Sequence, residues 1–119
     1  MKKVLVIEDN EANLYLMCAI LQKLGCQVIE AQNGLIGVEL AINEKPDLIL
    51  MDIQLPKIDG YEATKRIRDI EELNKIPIIA VTSYAMVGDK EKILAAGCTA
   101  YIEKPISPKS FMKELKKYL

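Results

Sequence analysis

Residues 4–10 read VLVIEDN: a wholly apolar run, then two acids, then a residue type that often caps helices. Three later apolar runs also end at a polar residue, namely LILM at Asp52, IIAV at Thr82 and AYIE at Lys104. Short apolar strands separated by helical segments are typical of a parallel α/β sheet. Because ligands of such sheets bind outside the carboxyl ends of the strands, these polar residues are the candidates for chemistry.

The segments between the apolar runs carry apolar residues at helical spacing. They predict helices over 11–24, 34–45, 61–72, 89–96 and 108–119, and a further strand over 26–31. In the second helix, Leu35, Val38 and Ile42 form the stripe that we expect to be buried. Five strands and five helices suit a doubly wound, flavodoxin-like parallel sheet of order 2-1-3-4-5. We therefore expect a single α/β domain over residues 1–119.

The composition excludes several classes of function. Lys and Arg total 16 and Asp and Glu 17, so the net charge of -1 provides no overall basic field to hold nucleic acid or an anionic membrane. Cys18, Cys26 and Cys98 are widely spaced, which indicates neither a disulfide framework nor a zinc site and favours a reducing compartment. No segment approaches the ~18 consecutive apolar residues of a membrane span. We expect a cytoplasmic protein without membrane insertion.

Three carboxylates are predicted to meet at one point of the sheet. In the order 2-1-3-4-5 the first and third strands are neighbours, so Glu8, Asp9 and Asp52 would lie within a few ångströms of one another. Two carboxylates ~5 Å apart repel by roughly 3 kcal/mol at an effective dielectric constant of ~20, so three should bind a cation or shift their pKa values. The chain contains no histidine, and an all-oxygen ligand set fits Mg²⁺.

Taken one at a time, the same residues have ordinary structural explanations. The acids of VLVIEDN could belong to a helix cap, and Asp52 could begin a turn. Thr82 is compatible with any strand, and Lys104 with any solvated surface. Four independent strand ends that carry complementary groups are hard to obtain by accident. The combination therefore indicates one site suited to phosphoryl transfer.

Together, the stretches VLVIEDN, PDLILMDIQLPKIDG, IPIIAVTSYAM and AYIEKPIS resemble the receiver domain of two-component response regulators. The resemblance covers the whole chain and looks closest to single-domain regulators of the DivK type and to receivers of hybrid kinases. It implies the 2-1-3-4-5 sheet and a phosphorylation-activated switch in a phosphorelay. Such a switch gains and loses its own phosphoryl group and is not a dedicated enzyme with an external substrate.

The resemblance also assigns the residues of phosphoryl transfer. Asp52 corresponds to the phosphoryl acceptor, and Thr82 and Lys104 correspond to the hydroxyl and ammonium groups that contact the phosphoryl group. Tyr101 corresponds to an aromatic residue that changes rotamer on activation, so Thr82 and Tyr101 form the expected switch. The Lys104–Pro105 peptide bond corresponds to one that is cis in the family.

The cofactor that the resemblance implies is Mg²⁺. Asp9 and Asp52 correspond to direct ligands of the ion, Glu8 to an acid that reaches it largely through water, and the backbone carbonyl of Gln54 to the remaining protein ligand. The side chains of Gln54 and Tyr84 occupy positions that flank the hydrolytic water in the family. We expect them to tune the lifetime of the phosphoryl group.

The phosphoryl group must come from a partner, because a chain without histidine cannot itself carry a phosphohistidine. The resemblance implies a sensor histidine kinase or a histidine phosphotransfer protein as that partner. Downstream it implies a protein target rather than direct contact with nucleic acid. It also admits a homodimer that forms on phosphorylation.

Two alternative classes conflict with the residues. A haloacid-dehalogenase-type phosphatase needs a second aspartate two residues after its nucleophile, where this chain has Gln54. A flavodoxin needs a phosphate-binding loop after the first strand, where Glu8 and Asp9 would repel the phosphate. A third class, a receiver-like interaction module that works without phosphorylation, stays open at this point.

Overall fold

The structure, a computed structural model, describes residues 1–83 and 87–119. The five strands within these ranges are parallel and lie in the order β2-β1-β3-β4-β5, so the predicted fold class is confirmed. The helices of the described ranges number five, as expected, and a 3₁₀ turn at Glu71–Leu73 follows the third. The elements are β1 (Lys3–Ile7), α1 (Glu11–Lys23), β2 (Gln27–Ala31), α2 (Gly34–Glu44), β3 (Leu48–Asp52), α3 (Gly60–Arg68), β4 (Ile78–Thr82), α4 (Val87–Ala95), β5 (Ala100–Glu103) and α5 (Pro108–Lys116).

Helices cover both faces of the sheet. α1 and α5 pack on one face, and α2, α3 and α4 pack on the other. Because β1, β3 and β4 are buried from both sides, their sequences are almost uninterrupted apolar runs rather than alternating ones. In the part of the chain that the structure describes, no helix has both the length and the apolar character needed to cross a bilayer.

The buried face of α2 differs from the prediction. Leu35 and Ile42 are 45% and 44% exposed, and only Val38 of the predicted stripe is half-buried. The reason is the close approach of α2 to β1, since a Cβ atom on Gly37 would lie 2.5 Å from the side chain of Ile7. Large side chains cannot fit between the two elements, so small residues form the inner face of the helix. These buried residues are Gly34, Gly37 and Ala41.

The third helix ends earlier than predicted, at Arg68 rather than Glu72. The guanidinium group of Arg68, the last residue of α3, donates hydrogen bonds to backbone carbonyl groups that lie outside the helix. Nη1 donates a hydrogen bond to the Ile76 carbonyl at 2.6 Å, and Nε donates one to the Gly97 carbonyl at 2.8 Å. Arg68 therefore ties α3 both to the segment that enters β4 and to the turn that follows α4.

The start of α3 lies directly against the end of β3. The Gly60 amide donates a hydrogen bond to the Ile53 carbonyl at 2.8 Å, and a Cβ atom on Gly60 would lie 2.5 Å from the carbonyl oxygen of Asp52. The Asp59 side chain caps the helix by accepting a hydrogen bond from the Glu62 amide at 2.9 Å. Glycine is therefore required where the polypeptide returns to the edge of the sheet that carries the candidate site.

Candidate functional site

The four polar strand ends meet at one edge of the sheet. In the β1–β3 pairing, Ile7 is opposite Met51, so Glu8 and Asp52 follow at neighbouring positions. Lys104 follows β5 and lies next to the end of β4. Its backbone amide donates a hydrogen bond to the Thr82 carbonyl at 2.8 Å. The parallel register therefore brings together residues that are far apart in the sequence, as the prediction required.

An acidic cluster formed by Glu8, Asp9 and Asp52 is the centre of the site. Each of the three residues offers a carboxylate oxygen, and these oxygens all lie within 4.8 Å of one another. Glu8 and Asp52 are buried, with exposures of 0% and 4%, whereas Asp9 is exposed. The Asn10 amide holds Glu8 by donating a hydrogen bond to its Oε2 at 3.1 Å. The cluster is thus buried on one side and open to solvent at Asp9.

Lys104 is the cation that the protein itself places in this cluster. Its Nζ lies 2.9 Å from Oε1 of Glu8 and 3.4 Å from Oδ1 of Asp52, and its side chain is only 14% exposed. One ammonium group beside three carboxylates leaves a formal excess of negative charge. Attraction to Lys104 therefore offsets only part of the repulsion within the acidic cluster.

The pKa of Asp52 is raised from its ordinary value of 3.8 to about 7. Burial is the largest cause, because it disfavours the charged carboxylate, and the hydrogen bond and negative charge of Glu8 act in the same direction. The positive charge of Lys104 and the Gln54 amide, which donates to Asp52 Oδ1 at 3.2 Å, oppose the increase. Without a bound cation, the surroundings of Asp52 therefore disfavour the ionised form of its carboxyl group.

We expect the metal-free protein to lose stability as the pH rises from about 4 to about 7. The folded-state pKa of Asp52 lies above the unfolded value, so the stabilising contribution of its proton is complete below the unfolded pKa and is lost as the pH passes through the folded pKa. The slope is at most about 1.4 kcal/mol per pH unit, so the total over about three pH units is roughly 4 kcal/mol. Urea unfolding in the presence of a chelator measures this loss.

Asp52→Asn separates this titration from those of other groups. The amide keeps an oxygen that can accept the hydrogen bond from Gln54 but does not titrate, so the variant should become more stable than the parent as the pH rises towards 8. Below the unfolded pKa the two proteins should be about equally stable. Free energies of unfolding that stay parallel over the whole pH range would contradict the raised pKa of Asp52.

Thr82 and Tyr101 lie on adjacent strands, as the expected switch requires. Thr82 is 2% exposed at the end of β4, and Tyr101 is half-buried on β5 opposite Ala80. The ammonium group of Lys90 on α4 lies 5.4 Å from the centre of the Tyr101 ring, and hydrogen bonding to Tyr101 raises the pKa of Lys90. Sequence reasoning missed Lys90, because no periodicity links the first turns of α4 to a residue of β5.

Two further expectations have different outcomes. The Lys104–Pro105 peptide bond is cis, as the resemblance implied. The peptide unit of Gln54 adjoins the acidic cluster, and its side chain is exposed, but the role of its carbonyl as a metal ligand stays a prediction. Tyr84 lies outside the described residues.

The residues of the acidic cluster fit a hard divalent cation. The donors are all oxygen atoms, and an exposed carboxylate at Asp9 leaves room for ligands from solvent, which Mg²⁺ usually keeps. A cation of this kind would relieve the carboxylate repulsion that raises the pKa of Asp52. The geometry and charge of the cluster therefore agree with the cofactor expected from the sequence.

Comparisons with known proteins agree with this site. A sequence model described as "Response regulator receiver domain" matches residues 4–116. The polar-differentiation response regulator DivK of Brucella anthropi is 49% identical over 118 residues, which cover 99% of this chain and 96% of that protein.

Solved structures of receiver domains share this fold, and two of them bear directly on the site. One is the receiver domain of the sensor histidine kinase PA1611 from Pseudomonas aeruginosa, with a magnesium ion coordinated in its active-site cleft; the TM-score is 0.91 at 38% identity, covering 98% of this chain and 96% of that one. The other is the receiver domain of Ssk1 from Saccharomyces cerevisiae, in complex with the histidine phosphotransfer protein Ypd1. Its TM-score is 0.91 at 32% identity, covering 98% of this chain and 88% of the matched chain.

Proposed function

The chain belongs to the response regulator receiver domain family, and on this premise we propose that Asp52 is the residue that carries its phosphoryl group. The protein is a phosphorylation-activated component of two-component signalling. The observation that supports the assignment most directly is the placement of a buried Asp52 between two further carboxylates and the ammonium group of Lys104. Residues 1–119 would act as one receiver domain.

Glu8, Asp9 and Asp52, together with the carbonyl of Gln54, would hold the Mg²⁺ ion. When bound, the ion supplies positive charge that neutralises phosphoryl oxygens. Asp9 and Asp52 would contribute direct carboxylate ligands, and Glu8 would act largely through water. The magnesium-bound receiver domain of PA1611 supports this choice of ion.

The chain's own residues would carry out the transfer by positioning and charge. An oxygen of the Asp52 carboxylate forms a bond to phosphorus while the bond from phosphorus to the imidazole nitrogen of the partner's histidine breaks. Lys104, already 3.4 Å from Asp52 Oδ1, would pair with a phosphoryl oxygen. Burial of Asp52 keeps bulk water from the acceptor.

The partner would be a histidine kinase or a histidine phosphotransfer protein. This chain has no histidine, and the Ssk1 receiver domain of similar structure is found in complex with such a phosphotransfer protein. The switch would work in the cytoplasm, pass its signal to a protein target and turn over no external substrate. A homodimer that forms on phosphorylation is part of the same proposal.

Phosphoryl uptake tests the proposal against an interaction module that is not controlled by phosphorylation. The protein is mixed with Mg²⁺ and acetyl phosphate, and intact-mass spectrometry measures the change. We expect one added phosphoryl group that is lost on treatment with hydroxylamine, as an acyl phosphate is. A chain that takes up no phosphoryl group under these conditions would favour the interaction module.

Thr82→Ala should separate phosphorylation from the conformational response. The variant keeps Asp52 and its metal ligands, but it lacks the hydroxyl group that would turn towards the phosphoryl group and make room for Tyr101. We expect phosphoryl uptake to continue while the response at Tyr101 falls by at least half. Amide chemical shifts of parent and variant with beryllofluoride, a phosphoryl mimic, measure that response. The same shift changes around Tyr101 in both proteins would exclude coupling through Thr82.

A further inference from the structure

A cleft between α3 and α4 lies outside the proposed phosphoryl-transfer site. It has a volume of about 300 Å³. Tyr61 and Lys65 of α3 form one wall, Lys92 and Ala95 of α4 form the other, and the buried Ala96 contributes to the floor. From this arrangement we infer that the cleft is a docking site for a short segment of a protein partner, with an acidic side chain next to apolar ones.

The charge of the cleft supports an acidic occupant. Lys65 and Lys92 come from different helices, are exposed, and form no ion pair with any residue in the described ranges. The hydroxyl group of Tyr61, on the same wall as Lys65, stays protonated and neutral, because burial raises its pKa and the carboxylates of Asp89 and Asp59 raise it further. A bound carboxylate would therefore point towards the two lysines.

The remaining lining suits apolar side chains beside that carboxylate. The ring of Tyr61 is half-buried, and Ala95 and Ala96 place only methyl groups against the cleft. Aromatic side chains supply large contact areas at low entropic cost in protein interfaces. A volume of about 300 Å³ is at the lower limit of small-molecule pockets. The dimensions therefore favour one or two side chains of a protein segment over a larger ligand.

The cleft is also held in shape by the fold. Arg68 near the end of α3 donates its Nε hydrogen bond to the Gly97 carbonyl just after α4, so the two helices are connected at their C-terminal ends. A Cβ atom on Gly97 would lie 2.8 Å from Cγ of Arg68, which shows how closely these ends approach. A preformed site requires little ordering when a partner binds.

A second basic groove lacks these features and provides a control. It is lined by Lys109, Ser110, Met112, Lys113 and Lys116. All of its lining residues belong to α5, so no second element forms an opposite wall, and none of them is aromatic. An acidic segment attracted by lysine charge alone would bind this groove as readily as the cleft.

Titrations of the ¹⁵N-labelled protein with acetyl-Phe-Glu-Leu-Asp-amide, followed by amide chemical shifts, test the inference. We expect the largest shift changes at Tyr61, Lys65, Lys92 and Ala95. The double variant Lys65→Glu/Lys92→Glu should weaken binding by at least tenfold, whereas Lys109→Glu/Lys113→Glu on α5 should change it by less than twofold. All four lysines are exposed, so the variants should fold normally.

Two further ligands identify the occupant. Acetyl-Phe-Gln-Leu-Asn-amide, which has no carboxylates, should bind at least tenfold more weakly than the acidic peptide. Benzoate should also bind more weakly, because it reaches the lysines without filling the apolar part of the cleft. Equal binding of either ligand, or equal loss in the two double variants, would overturn the inference. None of the cleft residues belongs to the proposed phosphoryl-transfer site, so phosphoryl uptake has no bearing on this result.

Discussion

Asp52→Asn is expected to abolish phosphoryl uptake from acetyl phosphate in the presence of Mg²⁺. The parent should gain one phosphoryl group, and the variant should stay at background, because a carboxamide is not a nucleophile towards phosphorus. The variant should still fold. Replacing a buried carboxyl group, whose pKa is raised, with a neutral amide should stabilise the metal-free protein at neutral pH. Intact-mass spectrometry and hydroxylamine treatment measure the outcome.

Asp69→Asn is the matched control for this substitution. Asp69 is an exposed aspartate at the C-terminal end of α3 and is not part of the acidic cluster. The control should take up the phosphoryl group as the parent does. If Asp52→Asn still acquired a hydroxylamine-sensitive phosphoryl group, another carboxylate would have to be the acceptor. A label that resists hydroxylamine would indicate a serine or threonine instead.

Asp9→Ala is expected to weaken Mg²⁺ binding by at least 10- to 100-fold, the loss that follows from removing even an outer hydrogen-bond partner of a metal ligand. Asp9 is the exposed member of the acidic cluster, so its removal opens no cavity in the core. Loss of one repelling carboxylate should leave the metal-free protein at least as stable as the parent. Calorimetric titration with Mg²⁺ and thermal unfolding in a chelator measure the two effects.

Glu11→Ala controls for the general loss of a negative charge near the site. Glu11 is exposed in the first turn of α1 and is not part of the acidic cluster. Its removal should lower Mg²⁺ affinity by less than about threefold, because charges in solvent are screened. Equal affinities in Asp9→Ala and the parent would show that the cation is bound elsewhere.

Much of the fold could be predicted because its signals are local. Each apolar run indicates a strand that is buried on both faces, and each polar residue at the end of a run indicates the edge of the sheet where ligands bind. The sequence of α2 misled the prediction for a related reason. Periodicity treats large apolar residues as the buried ones, but the close approach of α2 to Ile7 leaves space only for Gly37 and similarly small residues.

The sequence predicted a bound cation or shifted pKa values in the acidic cluster, but not the ion pairs, nor which carboxyl group has the shifted pKa and by how much. That Lys104 lies between Glu8 and Asp52 depends on distances across three strands that are not consecutive in the chain. The pKa of Asp52 depends on how completely the surrounding elements exclude water, which no single segment reports. Such quantities arise from packing between elements, and a linear pattern contains no measure of them.

The sequence by itself determined the parallel α/β architecture and which polar residues end the strands, because hydrophobic periodicity and strand polarity are properties of short segments. The tertiary structure alone decided the inner face of α2, the raised pKa of Asp52, the contact between Lys90 and Tyr101, and the cleft between α3 and α4. Each of these depends on the distance between elements that are separate in sequence, and only the packed chain sets that distance.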